Sequence, residues 1–251
     1  MILHLDPQTS PVLGAAAAAM LYAHIGGAFV GLVSGAAALL VRKGRRPHRL
    51  LGDLFSVAML TMSGVGALVA PFLPEGQAAN TMMGAFTFYL VATGWMAARR
   101  KPGDVGRFEF GAAAFAGLLA AGGVAYAWIN ASGAHPLPFP EGPVIDTFAV
   151  VVFLAAVLDI LVIRAGGMGG AARVTRHLWR MTLALLIAAI SFAGQPKAIP
   201  PFLRHSPLVL LPALVVLVSL IYWLVRVRLA PSFRQSGARP SSRSLEPAAG
   251  A

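Results

Sequence analysis

Cysteine is absent from this 251-residue chain. That excludes disulfides, iron–sulfur clusters, thiolate zinc sites and covalent c-type haem attachment. Charge is scarce: 12% of the residues are Asp, Glu, Lys or Arg, against about 25% in an ordinary soluble domain. Too little polar surface is left to face water on all sides, which excludes most soluble enzymes and a disordered scaffold. Acidic residues are scarcest, nine against 20 Lys and Arg. Also missing are a Gly-rich loop ending in Lys-Ser or Lys-Thr, a His-Glu-x-x-His and a Gly-x-Ser-x-Gly. The usual signatures of phosphate cradles, zinc hydrolysis and serine hydrolysis are therefore lacking.

What the chain has is apolar length. Hydrophobic residues make up 57% and the mean hydropathy is +0.74. A membrane-crossing helix needs about 20 mainly apolar residues. Seven runs qualify, at 13–41, 50–73, 79–98, 108–130, 144–163, 178–195 and 208–227. They are rich in Ala, Leu and Gly with no period of two, which argues against strands and against a transmembrane barrel. Short Pro-, Gly- and Arg-rich linkers separate them. The expected fold is all-α, a polytopic transmembrane bundle of seven helices over residues 1–229. The first run is too long for a signal peptide and lacks a basic leader, so it is expected to be a retained helix. Residues 230–251, polar and rich in Pro and Ser, are expected to form a disordered basic cytoplasmic tail.

Eighteen of the 20 basic residues fall in alternate linkers and the C-terminal segment; Lys197 and Arg204 alone lie on the other side. The positive-inside rule then places the N-terminus outside and the C-terminus in the cytoplasm. The net charge of +11 becomes a collar on the inner face. Its expected partners are membrane lipids and anionic head groups, not nucleic acid.

Small residues at four-residue spacing let helices approach closely in a bilayer. The first run carries Ala23, Gly27, Gly31 and Gly35, and is expected to be central. The second carries Ser63, Gly64 and Gly66, and the fourth Gly111, Gly117, Gly122 and Gly123. Trp95, Trp128, Trp179, Trp223, Tyr22, Tyr89, Tyr126 and Tyr222 sit mostly near run ends, as an aromatic anchoring belt would.

Ionisable groups within apolar runs are costly and mark function by default. Asp159 lies near the inner end of the fifth run and Arg180 at a similar depth in the sixth, so an ion pair between them is expected; a proton relay is the alternative. Of six histidines, His48 and His177 start the second and sixth runs at the inner edge. His24 lies within the first, about 25 Å from Val41 and so near the outer face. His4, His135 and His205 fall at or beyond the outer edge. A haem b held by two histidines needs both at one depth, so His24 would require an outer partner, while His48 could meet His177.

Three segments carry a resemblance. They are Arg-Lys-Gly-Arg-Arg-Pro-His-Arg-Leu-Leu-Gly-Asp (42–53), Asn-Thr-Met-Met-Gly-Ala-Phe-Thr-Phe-Tyr-Leu-Val-Ala-Thr-Gly-Trp (80–95), and His-Leu-Trp-Arg-Met (177–181) followed by Ser-Phe-Ala-Gly-Gln (191–195). Together with the Gly-rich helix bearing His24, they resemble a family of uncharacterised bacterial polytopic inner-membrane proteins close to domain of unknown function 2306. The likeness covers about residues 20–228. It implies a multi-pass location in the bacterial inner membrane and no established activity. The Lys-Gly-x-x-His-Arg pattern is also loosely similar to membrane b-type cytochromes, but their paired mid-helix histidines are absent. Three functions remain open. One is binding or passing a small molecule or lipid through an outer-side pocket of His24, Gln195, His205 and Tyr89. Another is electron transfer by haem b on His48, His177 or His24. The last is a membrane scaffold without catalysis.

Overall fold

A computed structural model describes residues 10–73, 77–133, 141–195, 199–204 and 206–229. His4, His135, His205 and the segment 230–251 lie outside these residues. Among the described residues the chain is all-α, with seven long helices and no strand. They are α1 (Pro11–Leu40), α2 (Arg46–Val69), α3 (Ala78–Arg99), α4 (Arg107–Ala131), α5 (Glu141–Arg164), α6 (Gly170–Ala193) and α7 (Leu211–Leu229). Short 3-10 turns lie at Ala70–Phe72, Pro201–Leu203 and Pro207–Leu210.

Local chemistry fixes the ends. Pro11 opens α1, where a missing N–H costs nothing, and the Ser10 hydroxyl accepts from the Leu13 N–H. At the other end of α1, the Lys43 ammonium donates to the Ala38 and Leu39 carbonyls at 2.9 and 2.6 Å. This satisfies orphan carbonyls and sets a cation at the negative pole of the helix. The same ammonium lies 5.1 Å from the Trp223 ring, tying the α1–α2 turn to α7. Burial there pushes the Lys43 pKa below its ordinary value.

One boundary differs from the sequence expectation. Helix α6 starts at Gly170, eight residues before the apolar run at 178. Arg173, Arg176 and Arg180 are all helix-borne, and their three- and four-residue spacing puts them on one face. Hydropathy cut the helix at these arginines; the protein continues it because each finds a partner inside the bundle.

The centre of the bundle is α3, not α1. Helix α3 packs against α2, α4, α5 and α6, whereas α1 lies mainly along α2 and touches α6. Phe86, Leu90 and Val91 of α3 are fully enclosed, with Met59 of α2, Val152 of α5 and Leu185 of α6 around them. The α1 glycine stripe does permit close approach, but on one side. A Cβ at Gly27 would stand 2.8 Å from the Ala58 carbonyl oxygen, and one at Gly31 2.8 Å from Met59 Sδ. The rest of α1 carries exposed Phe29 and Val33. In α4 only Gly123 of the four expected glycines packs tightly, against Met82 and Ala149; Gly111, Gly117 and Gly122 meet nothing within 4 Å.

Five helices, α1, α2, α4, α5 and α7, are long and apolar enough to cross a membrane. The most apolar, α7, is also the least enclosed: 11% of its most apolar stretch is buried, and Leu214, Val215, Val218 and Ile221 are exposed. In water an amphipathic helix buries its apolar face. Here the order is reversed: buried Thr87 and Thr93 lie on α3 and buried Arg176, Arg180 and Thr182 on α6, the two long helices outside that five, and they gather with Asp159 of α5 in the interior. Buried hydroxyls of Ser56, Ser63 and Thr93 each donate to the carbonyl four residues back, which leaves no free donor in an apolar setting.

Gly27→Val should force α1 off the α2 backbone and destabilise the bundle by about 1–3 kcal/mol, the usual cost of overpacking. Gly26→Ala, where nothing lies within 4 Å, should leave stability unchanged. Thermal melting of the detergent-solubilised variants distinguishes the two.

Candidate functional site

The buried charge of the bundle converges between α3, α5 and α6. Asp159 precedes Arg164, the end of α5, by five residues, which is about 7–8 Å along the axis. Arg180 follows Gly170, the start of the antiparallel α6, by ten residues, about 15 Å. Helix α6 thus begins beyond the end of α5, and the contact between the two side chains sets them at one level. Asp159 and Arg180 are enclosed to within 1% of completely, and Arg176, one turn before Arg180, is also buried.

Both arginines converge on one oxygen. Arg176 Nη2 lies 3.0 Å from Asp159 Oδ1, and Arg180 Nη2 donates to the same atom. The other carboxylate oxygen, Oδ2, accepts from the Tyr89 hydroxyl at 2.6 Å. The Arg180 guanidinium stands 5.0 Å from the centres of both the Tyr89 and Trp179 rings; aromatic faces stabilise a cation in such positions. Gly94 of α3 makes room, since a Cβ there would come within 3.1 Å of Arg180 Cβ. One carboxylate thus faces two guanidinium groups. Three of their buried nitrogens, Arg176 Nη1, Arg180 Nε and Arg180 Nη1, have no hydrogen-bond partner among the described residues.

Arg176 also lines a cleft at the arginine-rich end, together with Arg100, Glu109, Val162, Met168 and Arg173, enclosing a free volume of about 30 Å³. Its walls are braced. Arg100 grips Glu109 with two parallel bonds of 3.0 and 2.9 Å and reaches Asp104 at 3.0 Å. These carboxylates raise the Arg100 pKa above its ordinary value. Glu109 accepts from the Gly106 N–H at the start of α4. Arg173 donates to the Arg100 carbonyl, and the Gly103 N–H to that of Met168. Gly103 and Gly167 both have positive φ, and a Cβ at Gly167 would lie 2.8 Å from Gly103, so the two turns meet backbone to backbone.

The remaining sequence-derived residues lie outside this centre; His48 and His177 stand within electrostatic reach of each other, and His24 lies apart from both. His24 donates from Nδ1 to the Met62 carbonyl of α2 at 2.8 Å, His48 to Ala38 of α1 at 3.1 Å, and His177 to Gly94 of α3 at 2.9 Å. Each pins one helix to another. Gln195 is exposed just beyond α6, and His205 lies outside the described residues. Tyr89 joins neither an outer-side pocket nor an aromatic belt, because its hydroxyl is directed to Asp159. Trp128 and Tyr22 are exposed on their helices, while Trp95 donates to Asp53 at 2.8 Å, beside Arg99. For haem, His24 meets α2 at Met62, about 21 Å along that helix from His48, so these two do not share an iron. Among the described residues no cluster of three His, Asp or Glu side chains is placed to hold a metal ion.

Arg176 escaped sequence reasoning. The available signal was the Arg173, Arg176, Arg180 stripe on one helical face, opposite the one acidic residue in the interior of the fifth run.

No known protein family, curated protein or solved structure matches the chain.

Removing Asp159 leaves two buried cations unopposed. Asp159→Ala should cost roughly 3–5 kcal/mol, the usual penalty for breaking a buried pair. Replacing Asp159 by Leu and Arg180 by Met together should cost less, because the uncompensated charge is the expensive species. Arg176→Gln, which leaves one anion facing one cation, should cost least. Equal melting losses for the double variant and Asp159→Ala would show that the carboxylate and Arg180 are not coupled.

Proposed function

We propose that this chain is a seven-span protein of the bacterial inner membrane, N-terminus outside and C-terminus in the cytoplasm, that binds or passes a small molecule or lipid. The observation that carries the reading is the inversion of polarity: the most apolar helix is the least buried, while the buried charges gather inside, between α3, α5 and α6. On this reading α3 and α6 also cross, shielded from lipid by their neighbours, and the arginine-rich end faces the cytoplasm. The family resemblance points the same way.

The binding region is the Asp159 centre and its cleft, in the inner half of the membrane. His24 is the weaker focus. Its Nδ1 is occupied by Met62, and a Cβ at Gly66 would stand 3.0 Å from its ring, so that side is filled by α2. The Asp159 centre, in contrast, holds guanidinium nitrogens without partners and adjoins an open cleft. No observation in the described residues favours haem-based electron transfer or a scaffold without a ligand over this reading.

Fusions after Leu229 test the topology. A fluorescent-protein fusion should be bright and an alkaline phosphatase fusion inactive. An active phosphatase at that point would place the tail outside and overturn the orientation. Native mass spectrometry of protein released from membranes should show a retained small molecule or lipid; wholly bare protein would count against the ligand-binding part.

A further inference from the structure

The geometry points to a monoanion site in the cytoplasmic-side cleft, where the Arg176 guanidinium receives a small anionic group such as a carboxylate. This rests on the membrane reading above and names the ligand class of the same site. Inside the bundle, Arg176 and Arg180 carry two positive charges against the single negative charge of Asp159. Within that trio one positive charge is in excess, in surroundings where isolated charge is costly. Tyr89 donates to Asp159 and supplies no negative charge. The cleft wall holds two further carboxylates, Asp104 and Glu109, and both pair with Arg100. Lys101 and Arg173 add two cations to the same wall, so the lining as a whole stays positive.

The hydrogen-bond count agrees with the charge count. Three guanidinium nitrogens of Arg176 and Arg180 are buried without partners among the described residues, and a buried donor left unpaired is destabilising. Arg176 is the residue common to both features: Nη2 contacts Asp159 and the side chain lines the cleft. Arg173 and Arg176 both line the cleft, and Arg180 stands one helical turn beyond Arg176 on α6. The free volume of about 30 Å³ has room for a small group such as a carboxylate head or a halide. The group can belong to a dissolved small anion or to a lipid head group reaching in from the inner leaflet; the chemistry at Arg176 is the same.

The test uses the full chain in nanodiscs of phosphatidylcholine, titrated with sodium formate at an ionic strength held constant by sodium gluconate. Trp179, stacked on Arg180, contributes to the tryptophan emission that reports binding, and the melting temperature is read in parallel. Formate is expected to change the emission saturably and to raise the melting temperature. Arg176→Gln, in which the interior is already neutral, should weaken formate binding at least about tenfold, the scale expected when a buried charged partner is lost. Arg176→Lys, which keeps the charge but loses the fork, should bind formate with intermediate affinity. A response that appears only when phosphatidylglycerol is added assigns the anion to a lipid head group instead of a dissolved molecule. No saturable response to formate or phosphatidylglycerol overturns the proposal, as does an equal response from wild type and Arg176→Gln. A chain that melts cooperatively with its tail in the cytoplasm, yet ignores both anions, overturns this inference alone and leaves the membrane reading standing.

Discussion

Asp159 is where three helices settle their charge. It receives Arg176 and Arg180 from α6 and the Tyr89 hydroxyl from α3, while itself standing on α5. A carboxylate shut away from water is stable only when paired and hydrogen-bonded, and these partners satisfy it on both oxygens. The arrangement also fixes relative depth, because α5 and α6 cannot slide past one another without separating the charges. The centre thereby holds α3 in the middle of the bundle as surely as the apolar contacts of Phe86 and Leu90 do.

The outer helices follow a different rule. In a bilayer, lipid would offer no hydrophobic drive toward association, and contact between helices would come from close fit. At α1 and α2 that fit is literal: the positions of Gly27 and Gly31 leave no space for a Cβ beside Ala58 and Met59. At the arginine-rich end, polar chemistry takes over. Lys43 closes α1 and reaches Trp223, while His48 and His177 join α2 to α1 and α6 to α3. Helix α7 is held largely through α6 and otherwise presents branched apolar side chains outward.

The positions of the seven helices were legible in the sequence because apolar runs of membrane length separated by Pro, Gly and Arg leave few other readings. Asp159 and Arg180 could be placed at one depth by counting from the ends of the apolar runs, although α6 itself begins eight residues before its run. Which helix lies at the centre was not legible. Glycines on α1 show that something approaches closely, but not from how many sides, and α3 earns its place through mixed polarity, which a hydropathy count treats as weakness. The same blindness hid Arg173 and Arg176 inside α6. An arginine reads as a helix end at a membrane surface until a partner across the bundle is known, and Asp159 and the Arg100 carbonyl come from elsewhere in the chain. Tyr89 looked like an anchor by position; only the three-dimensional neighbour revealed its hydroxyl as part of the charged centre.

The central claim is that hydrocarbon surrounds this bundle while its charge stays within. The absence of cysteine permits a direct check, with nitroxide labels attached to single substitutions Leu118→Cys on α4, Val218→Cys on α7 and Leu90→Cys on α3 in lipid nanodiscs. Leu118 and Val218 are 75% and 57% exposed, and Leu90 is 0% exposed. The two outer labels should collide readily with oxygen and scarcely with a water-soluble nickel chelate, and the label at position 90 should be immobile and shielded from both. Outer labels open to the nickel chelate, or an inner label as open to oxygen as the outer ones, would contradict the account.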